Sequence, residues 1–468
     1  PSRDHPKPDA TKYALADCVD HERGACKRAS DPISRGRQRL LRVARIGCNP
    51  IANSFDVDLP LCSPDLATPG PLELLRPSRP KKNMITLRSV AVSISISASA
   101  ILVLLFGAVG VRGNSLVSGA IFATPLVVLL VTSPRIRLTL GDLLFATFVG
   151  LAAISIAING ATASAKDYAL LCLSLAAYPA FRGLGRGFNR ELFAIITGAI
   201  VTVGTIATAM FILRGEMANG NHPAVFGFAE ASLYFAKSFA FILFALASSG
   251  VSLLVLLAVA LVPCMVFSAA MVRYPFIGIV CGFAVIGLMT ARRMQVAVIC
   301  AAIVAVFAVG MLVRPATSQR LIGYVASTFV PTVSASDDPT AYISPNHADC
   351  GPLNWSDSIA IRRALTREAF AMMPRAGFFG IGLGGFEKAS CMKQYPHNIF
   401  LQTAVELGLP AALLLIGLVA VAVTAALGDS FVLASLVFAV IEAIFSGALT
   451  GAILLFGFMG WAVGSRET

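Results

Sequence analysis

Twelve apolar runs dominate the chain from residue 89 onward: 89–110, 115–133, 139–158, 165–181, 192–213, 233–249, 251–270, 274–290, 294–313, 406–426, 429–447 and 449–464. A helix needs about 20 mainly apolar residues to cross the hydrocarbon of a bilayer, and these runs approach that length one after another. Composition agrees: 56% of the 468 residues are hydrophobic and 13% are charged, against roughly 25% charged in soluble domains. The expected fold is all-α, a polytopic membrane protein of about twelve transmembrane helices embedded in a lipid bilayer. The net charge of +12 then points to loop placement rather than to nucleic acid, because basic residues gather in cytoplasmic loops and set orientation. No repeat is evident.

With the N-terminus inside, the short cytoplasmic loops hold Arg135, Arg137, Arg182, Arg186, Arg190, Arg292 and Arg293. The external loops hold Arg112, Lys166, Arg214 and Arg273, with Lys237 near a helix end. This excess places both chain ends in the cytoplasm and residues 314–397 outside. The domain reading is therefore an N-terminal extension over 1–83, helices one to nine over 84–313, an external loop over 314–397, and helices ten to twelve over 398–468.

Residues 1–83 differ from all that follows. They hold 15 basic and 10 acidic residues, many Pro, Ser and Asp, and Cys18, Cys26, Cys48 and Cys62. No apolar period is sustained, a composition that fits disorder. Met84 directly precedes the first span and reads as a start of translation, which would make residues 1–83 either a spurious extension or a disordered cytoplasmic tail. A basic arm at the anionic inner leaflet is the functional alternative. Cys172, Cys264, Cys281 and Cys300 lie in apolar runs and read as small buried hydrophobes. No zinc spacing appears among the ten cysteines.

The long external segment is the one sizeable polar region past Met84. Ser356-Asp357-Ser358 offers an N-cap, and a helix is expected from about Ile359 to Met373, ending at Pro374. Ile361, Leu365, Ala369, Met372 and Met373 fall near one face, while Arg363 and Arg367 share another beside Arg362. Such a helix lies on the membrane surface or over the bundle. Gly380-Ile381-Gly382-Leu383-Gly384-Gly385 matches a dinucleotide fingerprint by letter, but no strand precedes it to make the required βαβ unit. It reads as a tight turn. Pro396 then stops the loop, and His397 or Asn398 can cap a new helix. His397 thus stands at the mouth of a membrane helix, either as an interfacial cap or as a reactive imidazole. Glu406 follows two turns on; it either supports the helix from within by pairing with an arginine or lies at the interface. Arg273, between two apolar runs, is either a snorkelling anchor or a phosphate ligand.

The run His397-Asn398, Leu401-Gln402, Glu406-Leu407-Gly408 followed by an apolar span resembles the signature of the bacterial O-antigen ligase and O-antigen polymerase family. The resemblance extends in detail over about 356–416, and Ile441-Glu442-Ala443-Ile444-Phe445-Ser446-Gly447 has the family's look as well. It implies a bacterial inner-membrane glycosyltransferase with its long loop in the periplasm. Such an enzyme takes a glycan from undecaprenyl diphosphate and gives it to an acceptor hydroxyl, on lipid A-core or on another glycan. Carried onto this sequence, the family pattern implies His397 as catalytic base and Arg273 and Arg362 as substrate-binding cations. Arg273 lacks the family's Ser and Gly neighbours, having Val272 and Tyr274 instead. Arg214 is a further substrate-binding candidate at the start of an external loop, as is Glu406 on the helix after His397; His222 and Glu216 read as ordinary loop residues. The expected reaction is inverting, and no cofactor is implied. With no Asp-x-Asp cluster outside past Met84, other than Asp337-Asp338 in a loop, no metal is expected either. Cys350 and Cys391 are the two cysteines of the external loop, and an oxidising periplasm would pair them. Two other readings stay open: a repeat-unit polymerase, which shares these motifs, and a lipid-linked sugar flippase, for which charges at mid-membrane depth would be the mark.

Overall fold

The computed structural model describes residues 82–111, 113–133, 137–184, 188–216, 223–270, 272–290, 292–313 and 358–466. The chain divides into Pro1–Pro77 and Ser78–Thr468; the first unit, with Cys18, Cys26, Cys48 and Cys62, lies outside the described residues, as do His222, Asp337, Asp338, His347 and Cys350.

Each apolar run of the sequence is a helix. In order these are α1 (Lys82–Val103), α2 (Ser115–Thr132), α3 (Leu140–Asn159), α4 (Ala165–Arg182), α5 (Arg190–Arg214), α6 (Ala231–Ser248), α7 (Leu253–Ala269), α8 (Tyr274–Met289) and α9 (Arg293–Val313). After residues 314–357 come α10 (Ser358–Met372), α11 (Gly385–Ala389), α12 (Ile399–Glu406), α13 (Leu409–Ala425), α14 (Ser430–Phe445) and α15 (Ile453–Ser465). Helices satisfy their own backbone groups, which is what hydrocarbon demands of a spanning segment. Among the described residues, seven helices are long and apolar enough to cross a membrane. They are α1, α2, α3, α5, α6, α9 and α13, the first and last extended by a short π or 3₁₀ turn. The helices α7, α8, α14 and α15 are apolar but shorter, and α4 carries Lys166, Asp167 and Arg182. The twelve expected runs are thus all helical, and seven have full spanning length.

The starts are set by side-chain caps. Thr139 with Asp142, and Ser164 with Asp167, form capping boxes, while Asn189 and Asp429 cap α5 and α14, each closing backbone N–H groups that would otherwise lack a partner. The expected run 406–426 needs one correction. Glu406 ends the short α12, Leu407 and Gly408 break the chain, and the spanning helix starts only at Leu409. Gly408 has φ +95, and a Cβ there would stand 1.9 Å from the carbonyl oxygen of Phe378. Pro410 in the next first turn needs no donor.

Helices in lipid gain little from burying apolar surface against one another, so close packing holds them. Phenylalanines fill glycine notches here: a Cβ at Gly282 would lie 2.4 Å from Phe244. Phe241, Phe431, Phe438, Phe458 and Trp461 interlock at the centre, with Phe241 and Phe458 stacked at 5.1 Å. Cys264 is buried in this packing, but Cys172 faces outward, against expectation.

Polar contacts mark the two ends of the bundle. At one end Arg88 donates to the carbonyls of Thr132 and Gly183, Arg182 pairs with Asp142 at 3.0 Å, Arg190 pairs with Asp429 at 2.8 Å, and Arg292 donates to Gly250 O. The opposite end holds His397 and its surroundings.

Candidate active site at the His397 end

The amphipathic α10 forms within one residue of its expected bounds. Its apolar face does not lie open: Leu365 and Ala369 are buried with Phe386, Met392 and Val405, with Ile361, Met372 and Met373 beside them. The helix is therefore docked on α11 and α12. Glu368 adds a polar tie, accepting from Ser390 Oγ at 2.9 Å and from the Cys391 amide at 2.8 Å. Cys391 is disulfide-bonded.

The glycine-rich turn after α10 is a clamp. Ile381 and Gly382 amides donate to the Val405 and Glu406 carbonyls at 3.0 and 2.9 Å. The end of α3 and the residues just after it grip the other side: Ser155 donates to Phe379 O at 2.6 Å, Asn159 to Gly380 O at 3.2 Å and Thr162 to Leu383 O at 2.6 Å. At Gly380, φ is +70 and a Cβ would sit 2.3 Å from Glu406 O. Only glycine admits both the left-handed backbone and that approach.

Glu406 is fully buried at this clamp. Its partner is not the arginine expected from sequence: Gln402 Nε2 donates to it at 3.0 Å, and Gln402 Oε1 accepts from the Leu449 amide at 2.9 Å. Burial pushes the Glu406 carboxyl up to about 7. Its place is beneath the turn, in a chain of contacts that fixes α12 to the segment joining α14 and α15.

Asn398, not His397, caps α12; its side chain accepts from the Phe400 and Leu401 amides at 3.0 and 3.2 Å. His397 is held between that cap and Pro396 in a left-handed backbone, φ +52. Such a conformation costs a non-glycine residue on the order of 1–3 kcal/mol and is sustained by its surroundings. The imidazole is half-buried, and its Nδ1 is buried with no hydrogen-bond partner among the described residues. Tyr395 packs on it with ring centroids 4.5 Å apart. Burial, then the positive charge of Arg362, hold the imidazole down at about 4, while Glu230 acts in the opposite sense. His397 is therefore neutral at neutral pH.

Arg362 is the α10 arginine turned toward this place. It is half-buried, whereas Arg363 and Arg367 are exposed, and its charge reaches His397, Tyr395 and Tyr274. Arg273 immediately precedes Tyr274 at the start of α8 and is half-buried. Arg214 ends α5, is 65% exposed, and pairs with Glu216 at 3.8 Å; no contact ties it to His397.

Several polar residues of this end were passed over in the sequence. Lys237 of α6 forms an ion pair with Glu442 of α14, and its ammonium lies 5.6 Å from the centre of the Tyr234 ring. Tyr234 donates to Glu230 at 2.7 Å. The Tyr274 and Ser446 hydroxyls are 3.0 Å apart. The sequence signal was present: Glu230, Tyr234 and Lys237 recur at i, i+4 and i+7, one face of a helix. Among the described residues no three His, Cys, Asp or Glu side chains gather as a metal site would need.

Residues 256–416 match the family model described as O-antigen ligase. This part of the chain belongs to the O-antigen ligase family. The matched segment contains Arg273, Arg362, His397 and Glu406, and α3, α6, α14 and α15 pack around it from outside its bounds. No curated protein matches the chain. A domain of the O-antigen ligase family, in a chain of long apolar helices, identifies a glycosyl-transferring enzyme acting on glycans in a multi-pass membrane setting.

Proposed function

We propose that this O-antigen ligase-family chain is an inverting, metal-independent transferase of the bacterial inner membrane. In this reading it moves a glycan from undecaprenyl diphosphate to a hydroxyl of lipid A-core on the periplasmic face, with both chain ends in the cytoplasm. The observation that supports it is the half-buried His397 imidazole at the end of the bundle where the positive charge of Arg362 acts on it. A diphosphate leaving group gains negative charge as the anomeric C–O bond breaks, and a fixed cation in a water-poor site stabilises that charge. Arg362 serves this role, joined by Arg273 at the start of α8, because guanidinium presents a fork that matches phosphate oxygens. The unprotonated His397 takes the proton of the acceptor hydroxyl as it attacks the anomeric carbon from the opposite side.

Arg362 and the donor also regulate the base. In the free site the guanidinium depresses His397 basicity. A bound diphosphate neutralises that cation and brings negative charge near the ring, so the imidazole gains proton affinity when the donor is in place. Arg214, exposed and paired with Glu216, would meet the donor from the rim.

Deletion of the gene followed by a lipopolysaccharide gel tests the assignment. Complete loss of O-chain supports a ligase. Retention of one repeat per core replaces it with a polymerase. An unchanged ladder overturns both, and a deletion that stalls donor export rather than transfer would point to a flippase.

A further inference from the structure

Two phenylalanines stand in the open at the His397 end of the bundle: Phe370 is 58% exposed and Phe378 63% exposed. We propose that the outer face of α10 and the turn after it, with Arg363, Arg367, Phe370, Arg375 and Phe378, is a docking surface for anionic phospholipid headgroups at the border of the bilayer. The opposite face of α10 is the one docked on α11 and α12. The inference uses nothing of the chemistry assigned to His397.

Three observations carry it. First, Arg363, Arg367, Phe370 and Pro374 are exposed and recur at i, i+4, i+7 and i+11, one line along α10 and the 3₁₀ turn Met373–Arg375 that extends it. The opposite line, with Leu365 and Ala369, is buried against Phe386 and Val405. The helix is therefore apolar on its inner side and cationic and aromatic on its outer side. Second, the charge is one-sided. Residues 358–378 hold Arg362, Arg363, Arg367 and Arg375 against one acid, Glu368, and Glu368 is turned to Ser390 and the Cys391 amide. Third, the surface meets the edge of the bilayer. A Cβ at Gly408 would stand 1.9 Å from Phe378 O, so Phe378 sits where α13 begins. Leu409, Leu413 and Ile416 of α13 are exposed at i, i+4 and i+7, the lipid-facing line of a helix of full spanning length. Phe379, packed on Phe378 with ring centroids 4.9 Å apart, is tied through its carbonyl to Ser155 near the end of α3. Phe378 thus stands level with the ends of two spanning helices.

Together these narrow the occupant. Exposed large apolar side chains grouped on one surface mark an interaction site, and arginines beside them are costly against pure hydrocarbon. The headgroup layer meets both demands, with phosphate for the guanidinium groups and the upper acyl chains for the rings. It is also continuous with the lipid along Leu409, Leu413 and Ile416. A soluble anionic partner would satisfy the arginines but would have to displace lipid beside Phe378. Held on both sides, α10 fixes the position of Arg362, which lies half-buried on the flank between its two faces.

The test places an environment-sensitive maleimide dye at Phe370→Cys, and separately at Phe378→Cys, in the full chain carrying Cys172→Ser, because Cys172 is exposed. The protein is held in nanodiscs of phosphatidylcholine alone or with about 30% phosphatidylglycerol. With the anionic lipid, a nitroxide at a shallow acyl-chain position should quench both dyes, and iodide in the buffer should reach neither. Without it, the Phe370 dye should lose at least about half of its nitroxide quenching, while the Phe378 dye, fixed at the start of α13, keeps most of it. Arg363→Gln, Arg367→Gln and Arg375→Gln together should cause the same loss in anionic nanodiscs. The corresponding three lysine substitutions should retain the quenching, because the attraction is to positive charge. A Phe370 dye reached by iodide and untouched by nitroxide in anionic nanodiscs overturns the proposal, since that face then looks to water or to a soluble partner. Quenching that is equal in the two lipid mixtures, or unchanged by the glutamine substitutions, overturns it as well. The readout does not depend on glycan transfer, so its failure leaves the function proposed above standing, and loss of that function leaves this readout unaffected.

Discussion

The Tyr395 ring lies 4.5 Å from the His397 ring, centre to centre and tilted 56°, across the proline that separates them in sequence. Pro396 disfavours the helical backbone for Tyr395, and Asn398 caps α12 directly after His397, so His397 occupies the left-handed bend between two fixed points. The tyrosine supplies the wall against which the imidazole packs. Removing the ring should loosen the base without removing it. Tyr395→Ala is expected to lower kcat by about tenfold, well short of the ~10²–10⁴-fold loss expected of His397→Ala. Lipid-donor binding should survive in both. A transfer assay paired with a donor-binding assay checks this, and equal losses from the two variants would contradict it.

The pH profile follows from His397 being held at about 4 in the free site. If His397 is the base, as proposed, the neutral ring is the active form, so kcat/KM should stay flat down through pH 6 and fall only well below an ordinary histidine's range. Arg362→Gln removes a cation that opposes protonation, so the acid limb should move up in pH while donor affinity drops. An acid limb already near pH 6.5 in the native enzyme, or one that moves down in the variant, would be at odds with this electrostatic arrangement.

Glu406 carries a separate pH signature, in stability rather than turnover. Its carboxyl is raised to about 7 in the fold, above its unfolded value of about 4.3. The fold therefore binds more protons than the unfolded chain, and stability should decline as pH rises from about 4.5 through 7. Glu406→Gln keeps a neutral partner for Gln402 and should flatten that decline. Glu406→Leu leaves the Gln402 amide without its acceptor and should cost about 1–3 kcal/mol. Unfolding temperatures of the two variants between pH 5 and 8 give the comparison.

The clamp predicts a sharp response to one methyl group. Gly408→Ala places a Cβ 1.9 Å from Phe378 O at a φ of +95, so either the turn or α12 must move. Loss of transfer activity with retained membrane insertion is expected. An alanine at Gly119, where nothing lies within 4 Å, should be silent in the same assay.

Cys391 is disulfide-bonded, and we assign Cys350 as its partner. Cys350→Ser should then leave Cys391 reactive toward maleimide in unreduced protein. The bond would close a loop of about 40 residues and contribute about 4 kcal/mol on the chain-entropy estimate. Maleimide labelling that leaves Cys391 unmodified in Cys350→Ser would break the assignment.

The helices were legible from sequence because lipid allows so few alternatives: a long apolar run has to satisfy its own backbone. The α10 helix was legible from its cap and its one apolar face, and the turn from its glycines. What escaped was of two kinds. The division of the expected run 406–426 at Leu407-Gly408 was hidden because an apolar run shows no seam; the seam comes from a carbonyl contact with Phe378, distant in sequence. The polar floor of the site was hidden because Lys237 and Glu442 each look like an isolated charge near a helix end. Only the packing of α6 against α14 makes them a pair. Glu406 takes Gln402, one turn before it, as its hydrogen-bond partner, a pairing that an expectation built on charge alone overlooks.

The grip of α3 on the glycine turn has an evolutionary side. Ser155, Asn159 and Thr162 hold Phe379, Gly380 and Leu383, yet they lie outside the segment 256–416 that carries the family's sequence signature. Glu230, Lys237 and Glu442 lie outside it too. The inherited signature and the working machine therefore have different borders. A graft of the matched segment onto another helical scaffold would carry Arg273, Arg362 and His397 with it but leave behind the α3-end side chains that hold the glycine turn.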